Sequence, residues 1–347
     1  MTNIPFKSQV SAATPGVQKA KTKFRVFSSP PRQVPAQPGA VPPAKIMSKT
    51  PLKPVSPVLP PPTNKGLKLF PSKKIRNPDL DILSFSSNRY QIVNVIHEGG
   101  FGTVFKVLDK MLKMDVAIKL LKSDISRNPE AITQLKTEAA MSMKLSHEHI
   151  VRIHNIESEK GRFFIVMEYV DGHSLREIID KMGALSLPAV FDITHACTEA
   201  LTYAHKLGVL HRDIKPENMM INSRMRLKLV DFGLAIKMSR GRETSDFIEG
   251  SPGYMSPEQL HGLPLDAKTD VFSLAAVVCE LMTGKRAFPG TARLKHMYDN
   301  EPVGIENLPP GVAQVIQCGL SRDAASRYET PAQFFEALGQ VIGPLIS

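Results

Sequence analysis

The chain has no tryptophan and only three cysteines in 347 residues, and aromatic residues make up just 6% of it. Cys197, Cys279 and Cys318 lie far apart with no C-x-x-C pair, which excludes the usual zinc and dithiol-redox spacings. Each falls in a stretch with helical periodicity, the setting of buried, reduced thiols, so a reducing compartment is expected. The cytoplasm is such a compartment, and a protein secreted into a host cell would find another. No run reaches the ~18 apolar residues of a membrane-spanning helix. The longest, Val271 to Met282, is interrupted by Ser273 and Glu280. The N-terminus also lacks the apolar core of about 7–15 residues that a secretory signal needs, so a soluble protein without a transmembrane segment is expected.

Acidic residues are almost missing from the first quarter of the chain. Residues 1–88 hold 14 Lys and Arg against two acids, Asp79 and Asp81, together with 16 of the 28 prolines. The net charge of +11 therefore belongs to this segment, at +12, while the remaining 259 residues carry −1. A basic folded surface for specific nucleic-acid binding is not expected. Proline removes a backbone donor and fixes φ, so 1–88 reads as a disordered, basic, Pro-rich tail. Pro51, Pro54, Pro57 and Pro60 recur at every third residue and would share one edge of a polyproline II helix. That edge suits the aromatic groove of an SH3-like partner, and the charge suits an acidic one, although a solvated linker accounts for the same composition.

Order is expected from Arg89. Tyr90 to Ile96, Thr103 to Leu108 and Val116 to Leu121 read as strands separated by polar turns. Asn128-Pro129 then supplies an N-cap and an N1 proline for a helix whose apolar face is Ile132, Leu135, Ala139 and Met143. Val151 to Ile156 and Phe163 to Tyr169 return to strand, and beyond Gly172 helical periodicity dominates, over 174–182, 188–207, 267–284, 310–319 and 331–342. The class is α+β, a small β-rich lobe followed by a larger helical one. A ligand is expected in the cleft between them, at the junction near Glu168 to Gly172.

The candidate chemistry is concentrated in three places. Ile96-His97-Glu98-Gly99-Gly100-Phe101-Gly102-Thr103-Val104 is a Gly-rich turn between strands. It can lay backbone N–H groups over phosphate oxygens, or be a plain hairpin turn. It leads into a strand and no G-x-x-x-x-G-K-[ST] occurs, which excludes a Walker loop and speaks against a dinucleotide fold. Val116-Ala117-Ile118-Lys119 places a lysine in an apolar strand, a costly position unless it is paired or liganded. Glu138, on the next helix, is the expected partner, the pair setting Lys119 on nucleotide phosphates. The third place is His211-Arg212-Asp213-Ile214-Lys215-Pro216-Glu217-Asn218, followed by the strand 227–230 and Asp231-Phe232-Gly233. Asp213, Asn218 and Asp231 offer the hard oxygens that Mg²⁺ takes. Asp213 can accept or orient a hydroxyl proton, Lys215 can neutralise a moving phosphoryl group, and Asn218 with Asp231 can hold two metals.

These residues, over about 89–343, resemble the eukaryotic-like protein kinases, in style closest to the bacterial serine/threonine kinases. The resemblance implies a two-lobed kinase domain over 89–347, with an N-lobe at about 89–168 and a C-lobe at about 173–343. It implies ATP and Mg²⁺, with Mn²⁺ as an alternative, as cofactors and protein substrates as partners. Residues 96–104 and Lys119 would cover and hold the phosphates, and Met167 would be the gatekeeper. Glu168 and Val170 would then offer backbone groups to adenine. Asp213-Ile214-Lys215-Pro216 is similar to the serine/threonine pattern, so Ser or Thr hydroxyls are the implied acceptors. Ser256-Pro257-Glu258 stands for the family's A-P-E, with Arg327 implied as the partner of Glu258 and Asp270 as a structural residue of the central helix. Arg212 would grip a regulatory phosphate on Thr244 or Ser245, and Ser251 would bridge Asp213 and Lys215. Two departures stand out: His97 replaces the first glycine of the family's loop, and Ala275 a glycine of the central helix. Neither removes a metal ligand or proton acceptor, so an active kinase regulated by autophosphorylation is expected, with a pseudokinase scaffold as the alternative. A small-molecule phosphotransferase is disfavoured by the Ser251-Pro252-Gly253 shelf, which resembles a peptide platform. A transient homodimer would serve mutual phosphorylation, and the oligomeric state is otherwise open.

Overall fold

The computed structural model describes residues 89–100, 102–232, 252–289 and 302–346. The expectations for the tail 1–88, Phe101, Thr244, Ser245 and Ser251 lie outside the described residues. Five antiparallel strands come first, β1 (Tyr90–Glu98), β2 (Gly102–Asp109), β3 (Met114–Leu121), β4 (Ile153–Glu159) and β5 (Arg162–Glu168), in the order β1-β2-β3-β5-β4. Between β3 and β4 lie a single turn, α1 (Ser123–Ser126), and the longer α2 (Pro129–Ser142), whose N-cap Asn128 accepts the Glu130 and Ala131 N–H groups. Strand alternation gives the sheet two apolar faces. Phe105, Val107, Val116, Ile118, Leu120, Phe164 and Val166 pack with Tyr90 on one face, while Leu121, Ile165 and Ile153 meet Ile132, Leu135 and Ala139 of α2 on the other. Lys119 shares the period-2 face of Ala117 and Leu121, the side on which α2 packs.

The second lobe holds α3 (Leu175–Met182), α4 (Leu187–Lys206), α5 (Pro257–Leu260), α6 (Ala267–Thr283), α7 (Pro310–Gly319) and α8 (Pro331–Ile346). A small sheet of β6 (Gly172–Ser174), β7 (Met219–Asn222) and β8 (Leu227–Leu229) lies at its upper edge. The elements that period reading passed over, α1, β6, β7 and α5, are only three or four residues long, too short to show a period. The apolar run 271–282 is the middle of α6, buried along its length, and no helix among the described residues is long and apolar enough to cross a membrane. Ala275 fits because Gly319 makes room: a Cβ at 319 would lie 2.7 Å from that of Ala275. Cys197 and Cys279 are buried, burial pushing the Cys279 thiol up to about 12, whereas Cys318 departs from expectation and is only half-buried. It sits at the last turn of α7, where its Sγ reaches the Ser326 carbonyl at 3.4 Å.

Charges buried in this lobe are paired. Glu258 takes both oxygens to Arg327, at 2.7 and 2.8 Å, and accepts the Thr269 hydroxyl at 2.9 Å. Burial works to raise the Glu258 carboxyl, and Arg327 outweighs it, holding the group below its usual range. Removing one partner of such a pair strands a buried charge. Arg327→Ala is therefore expected to lower unfolding free energy by about 3–5 kcal/mol, read as a shift of the urea midpoint at neutral pH; a midpoint within error of the parent would contradict it.

Candidate active site

The loop 211–218 is held from below by one carboxylate. Asp270 of α6 is fully buried and accepts the backbone N–H of His211 at 2.9 Å and of Arg212 at 2.8 Å, with His205 Nε2 at 2.7 Å. These bonds hold Arg212 at φ +67°, a left-handed conformation that costs a non-glycine residue about 1–3 kcal/mol. Gln259 Nε2 adds a bond to the Arg212 carbonyl at 2.7 Å. His211 is buried and neutral by its bonds, Nδ1 accepting the Asp213 N–H at 3.3 Å and Nε2 donating to the Val230 carbonyl at 3.1 Å.

Above this support the predicted residues meet. Lys215 Nζ lies 2.7 and 3.0 Å from the two carboxylate oxygens of Asp213. Asn218 Nδ2 donates to the Asp213 carbonyl at 2.8 Å and carboxylate at 2.7 Å, so its Oδ1 is left to act as a ligand. Asp231, also at positive φ (+61°), follows β8 and stands 2.8 Å from Lys119 Nζ. Burial works to raise the Asp231 carboxyl, and Lys119, with help from Lys215, outweighs it, so the group stays ionised. An ionised Asp231 and the Asn218 amide oxygen are a donor set that fits a hard divalent cation.

One expected pair is not formed. Lys119 is bonded to Asp231, and Glu138 pairs instead with Arg212 Nη1 at 3.0 Å and Gln134 Nε2 at 3.0 Å. The physical reason is that two cations and two carboxylates share the space between α2 and the loop, and either pairing neutralises all four. The pairing adopted is incomplete: Glu138 Oε2 and Arg212 Nε are buried without a hydrogen-bond partner among the described residues. The α2 helix is tied to the same region by Ser142, whose Oγ lies 2.9 Å from the Phe232 carbonyl, and the Phe232 ring packs 4.4 Å from that of His211.

The Gly-rich turn is closed by reciprocal backbone bonds between Gly99 and Gly102, at 2.9 and 3.3 Å. Gly102 has to be glycine, because a Cβ there would fall 2.0 Å from the Leu120 carbonyl oxygen. His97, exposed on β1, leans its imidazole over Gly99: a Cβ at 99 would meet His97 Nε2 at 3.0 Å. Beneath the turn, Val104, Ala117, Val151, Met167, Val170, Met220 and Val230 form one apolar cluster at the lobe junction. The Glu168 N–H is bonded to the Arg152 carbonyl at 2.9 Å, and its side chain to Lys228 at 2.8 Å. Glu168 can therefore serve a base only through its carbonyl.

Several of these residues escaped sequence reasoning. Ala117 was legible in principle, two positions before Lys119 on the same strand face, and Val230 directly precedes Asp231. Met220 and Val151 carry no such signal. Arg176 of α3 was missed entirely; it joins Glu217 (3.0 Å), the Tyr254 hydroxyl (2.7 Å) and Glu280 (2.9 Å), binding the loop 211–218 to α6. Burial works to lower its guanidinium, and Tyr254 and Glu280 more than offset that.

A family model described as the protein kinase domain matches residues 90–334. The serine/threonine-protein kinase PknA of Mycobacterium tuberculosis is 34% identical over 265 residues, covering 74% of this chain and 62% of that protein. The serine/threonine-protein kinase PrkC of Bacillus subtilis is 35% identical over 252 residues, covering 70% of this chain and 39% of that protein. The chain thus spans less than two thirds of the length of these relatives. Among solved structures, the kinase domain of Mycobacterium tuberculosis PknI superposes with a TM-score of 0.61 at 25% identity, over 74% of this chain and 96% of that one.

A consequence for pH follows from the buried histidine. Burial lowers the His211 imidazole from 6.5, and burial lowers His147 and His154 as well. Below 6.5 the unfolded chain binds protons that the folded one refuses, so stability falls as pH drops. The urea midpoint is expected to decrease steadily from pH 7.5 to pH 5.5; a flat or rising midpoint over that interval would count against the neutral, buried His211.

Proposed function

Because the chain belongs to the protein kinase family, we propose that it is a protein serine/threonine kinase that moves the γ-phosphoryl group of ATP to Ser or Thr hydroxyls of protein substrates. The observation that carries this reading is the cluster of Asp213, Lys215 and Asn218 on the second lobe, with Asp231 of the same lobe bonded to Lys119 of the first. The acceptor oxygen bonds to the γ-phosphorus as the bond to the bridging oxygen of ADP breaks. Asp213 orients the hydroxyl and takes its proton, and Lys215 offsets charge on the moving group. Asn218 Oδ1 and the Asp231 carboxylate would hold Mg²⁺, with Mn²⁺ as a substitute, and such an ion neutralises charge on the phosphate oxygens. The Val104, Ala117, Met167, Val170, Met220 and Val230 cluster suits the adenine ring, with the Glu168 carbonyl and the Val170 backbone at its edge. The turn 96–104 covers the phosphates.

For catalysis Lys119 exchanges Asp231 for phosphate oxygens and Glu138 exchanges Arg212 for Lys119. A phosphate on Thr244 or Ser245 favours that exchange, since it adds about −1.5 to −2 charges that compete for Arg212. Ser251 then joins the Asp213 and Lys215 pair. The kinase domain occupies 89–347, the buried thiols suit the cytoplasm, and a transient homodimer would allow one copy to phosphorylate another.

Two outcomes test this. Asp213→Asn is expected to lower turnover on a serine peptide by about 10²–10⁴-fold while leaving ATP affinity within a few-fold; turnover equal to the parent would refute the assignment. Preincubation with ATP is expected to accelerate the parent enzyme and not the Thr244→Ala, Ser245→Ala double variant; equal acceleration of both would remove these residues from regulation.

A further inference from the structure

A cavity of about 460 Å³ opens at the lobe junction beside the Glu168 side chain, and none of Lys119, Asp213, Asn218 and Asp231 lines it. That is room for a whole small molecule. Leu145 and Ile150, both buried, give it an apolar wall, and Tyr169 adds an aromatic ring. Both lobes build it, through β3 and β5 on one side and Lys228 of β8 on the other, with the segment 145–152 between them. That segment is fixed by its backbone. Val151 N–H donates to the Leu229 carbonyl at 2.9 Å, and the His149 carbonyl accepts the Leu229 N–H at 2.8 Å. The cavity is therefore preformed.

Each carboxylate that lines it is already matched. Asp115 lies 2.8 Å from Lys106, Glu148 2.7 Å from Arg226 and Glu168 2.8 Å from Lys228. Arg152 is the cation left over. Its Nη2 donates to Ser146 Oγ at 2.7 Å, and among the described residues its guanidinium has no carboxylate partner. Its backbone is pinned to Glu168 in both directions, the N–H donating to Oε2 at 3.2 Å and the carbonyl accepting the Glu168 N–H at 2.9 Å. Two imidazoles stand at the same cavity. His147 accepts the His149 N–H on Nδ1 at 3.2 Å, so in the neutral ring Nε2 carries the proton and can donate. His154 has no hydrogen bond among the described residues and keeps its own donor. A surplus guanidinium with two imidazole donors is a set that takes an anion, and the guanidinium fork matches phosphate oxygens.

We propose that this cavity is a binding site for a small organic phosphate monoester, with the phosphate on Arg152, His154 and His147 and the organic part against Leu145, Ile150 and Tyr169. The charges decide the class of ligand. Lys106, Arg152, Arg226 and Lys228 stand against Asp115, Glu148 and Glu168, so a cationic ligand would have to displace a cation already in place. A wholly apolar ligand would take water from Arg152 and give it no partner. A carboxylate can use the guanidinium fork but brings two oxygens to three donor side chains, whereas a phosphate monoester brings three and more charge. Inorganic phosphate would leave the apolar wall and the Tyr169 ring without a role.

The test is a saturation-transfer NMR titration of the full chain with phenyl phosphate, alongside benzoate and inorganic phosphate as a competitor. The expected result is saturable binding of phenyl phosphate, with the other two weaker by about tenfold or more. Affinity should fall by about tenfold or more in Arg152→Ala and by several-fold in His154→Ala. It should be unchanged in Lys119→Ala, which alters the candidate active site and not this cavity. An unchanged thermal midpoint shows that Arg152→Ala still folds. If the midpoint moves, Arg152→Gln replaces it, keeping a donor for Ser146 while dropping the charge. No saturable binding, or binding that survives loss of the Arg152 charge, would overturn the proposal. So would binding lost in Lys119→Ala, which would put the phosphate at the candidate active site, and so would benzoate or inorganic phosphate binding as tightly as phenyl phosphate.

Discussion

Much of this structure depends on a single buried carboxylate. Asp270, in the first turn of α6, has no exposure to water, and its two oxygens are taken by two consecutive backbone N–H groups and a histidine. A bare carboxylate at that depth would cost several kcal/mol, and burial indeed works to raise its pKa. The bonds from His205 and the loop more than offset this, so the group is held below the usual carboxylate range. The return is a rigid, left-handed turn at Arg212. That turn aims Asp213 outward, lets His211 reach back to Val230 beside Asp231, and places Arg212 within reach of α2. The loop 211–218 and the segment after β8 that carries Asp231 are thereby locked to each other through the core. Phosphoryl transfer asks for this kind of scaffold, because positioning and charge, more than covalent chemistry, lower its barrier.

Above the rigid floor lies an exchangeable set of charges. Lys119, Asp231, Glu138 and Arg212 can pair in two ways, and the molecule adopts the one in which α2 is bonded to the loop 211–218 rather than to β3. Two buried atoms, Glu138 Oε2 and Arg212 Nε, have no partner among the described residues in that pairing, so it is not strongly favoured over the other. A set of this kind responds to added charge. Phosphates brought to Lys119 or Arg212 would change that balance, so under the proposed function nucleotide binding and loop modification would be linked to the position of α2.

The parts legible from sequence were those in which chemistry and local pattern coincide. The Gly-rich turn, the lysine in an apolar strand and the loop 211–218 each place unusual residue types where a plain core or plain turn would not have them. The long helices and the strands of the first sheet followed from period and capping, as at Asn128-Pro129. What escaped did so for definite reasons. The β6, β7 and α5 elements are three or four residues long, too short for a period to repeat, Arg176 looks like an ordinary exposed helix residue until Glu217, Tyr254 and Glu280 converge on it, and Met220 resembles any strand residue. The Lys119 and Glu138 pairing failed as an expectation because sequence shows which charges are present and not which of two near-equivalent partners each takes.

The most direct test of the account is phosphoamino-acid analysis and peptide mapping of the purified full chain after incubation with Mg-ATP. The account predicts phosphoserine and phosphothreonine, with no phosphotyrosine, and complete loss of incorporation when the metal is chelated. Phosphotyrosine as the main product, or incorporation that survives chelation, would contradict it.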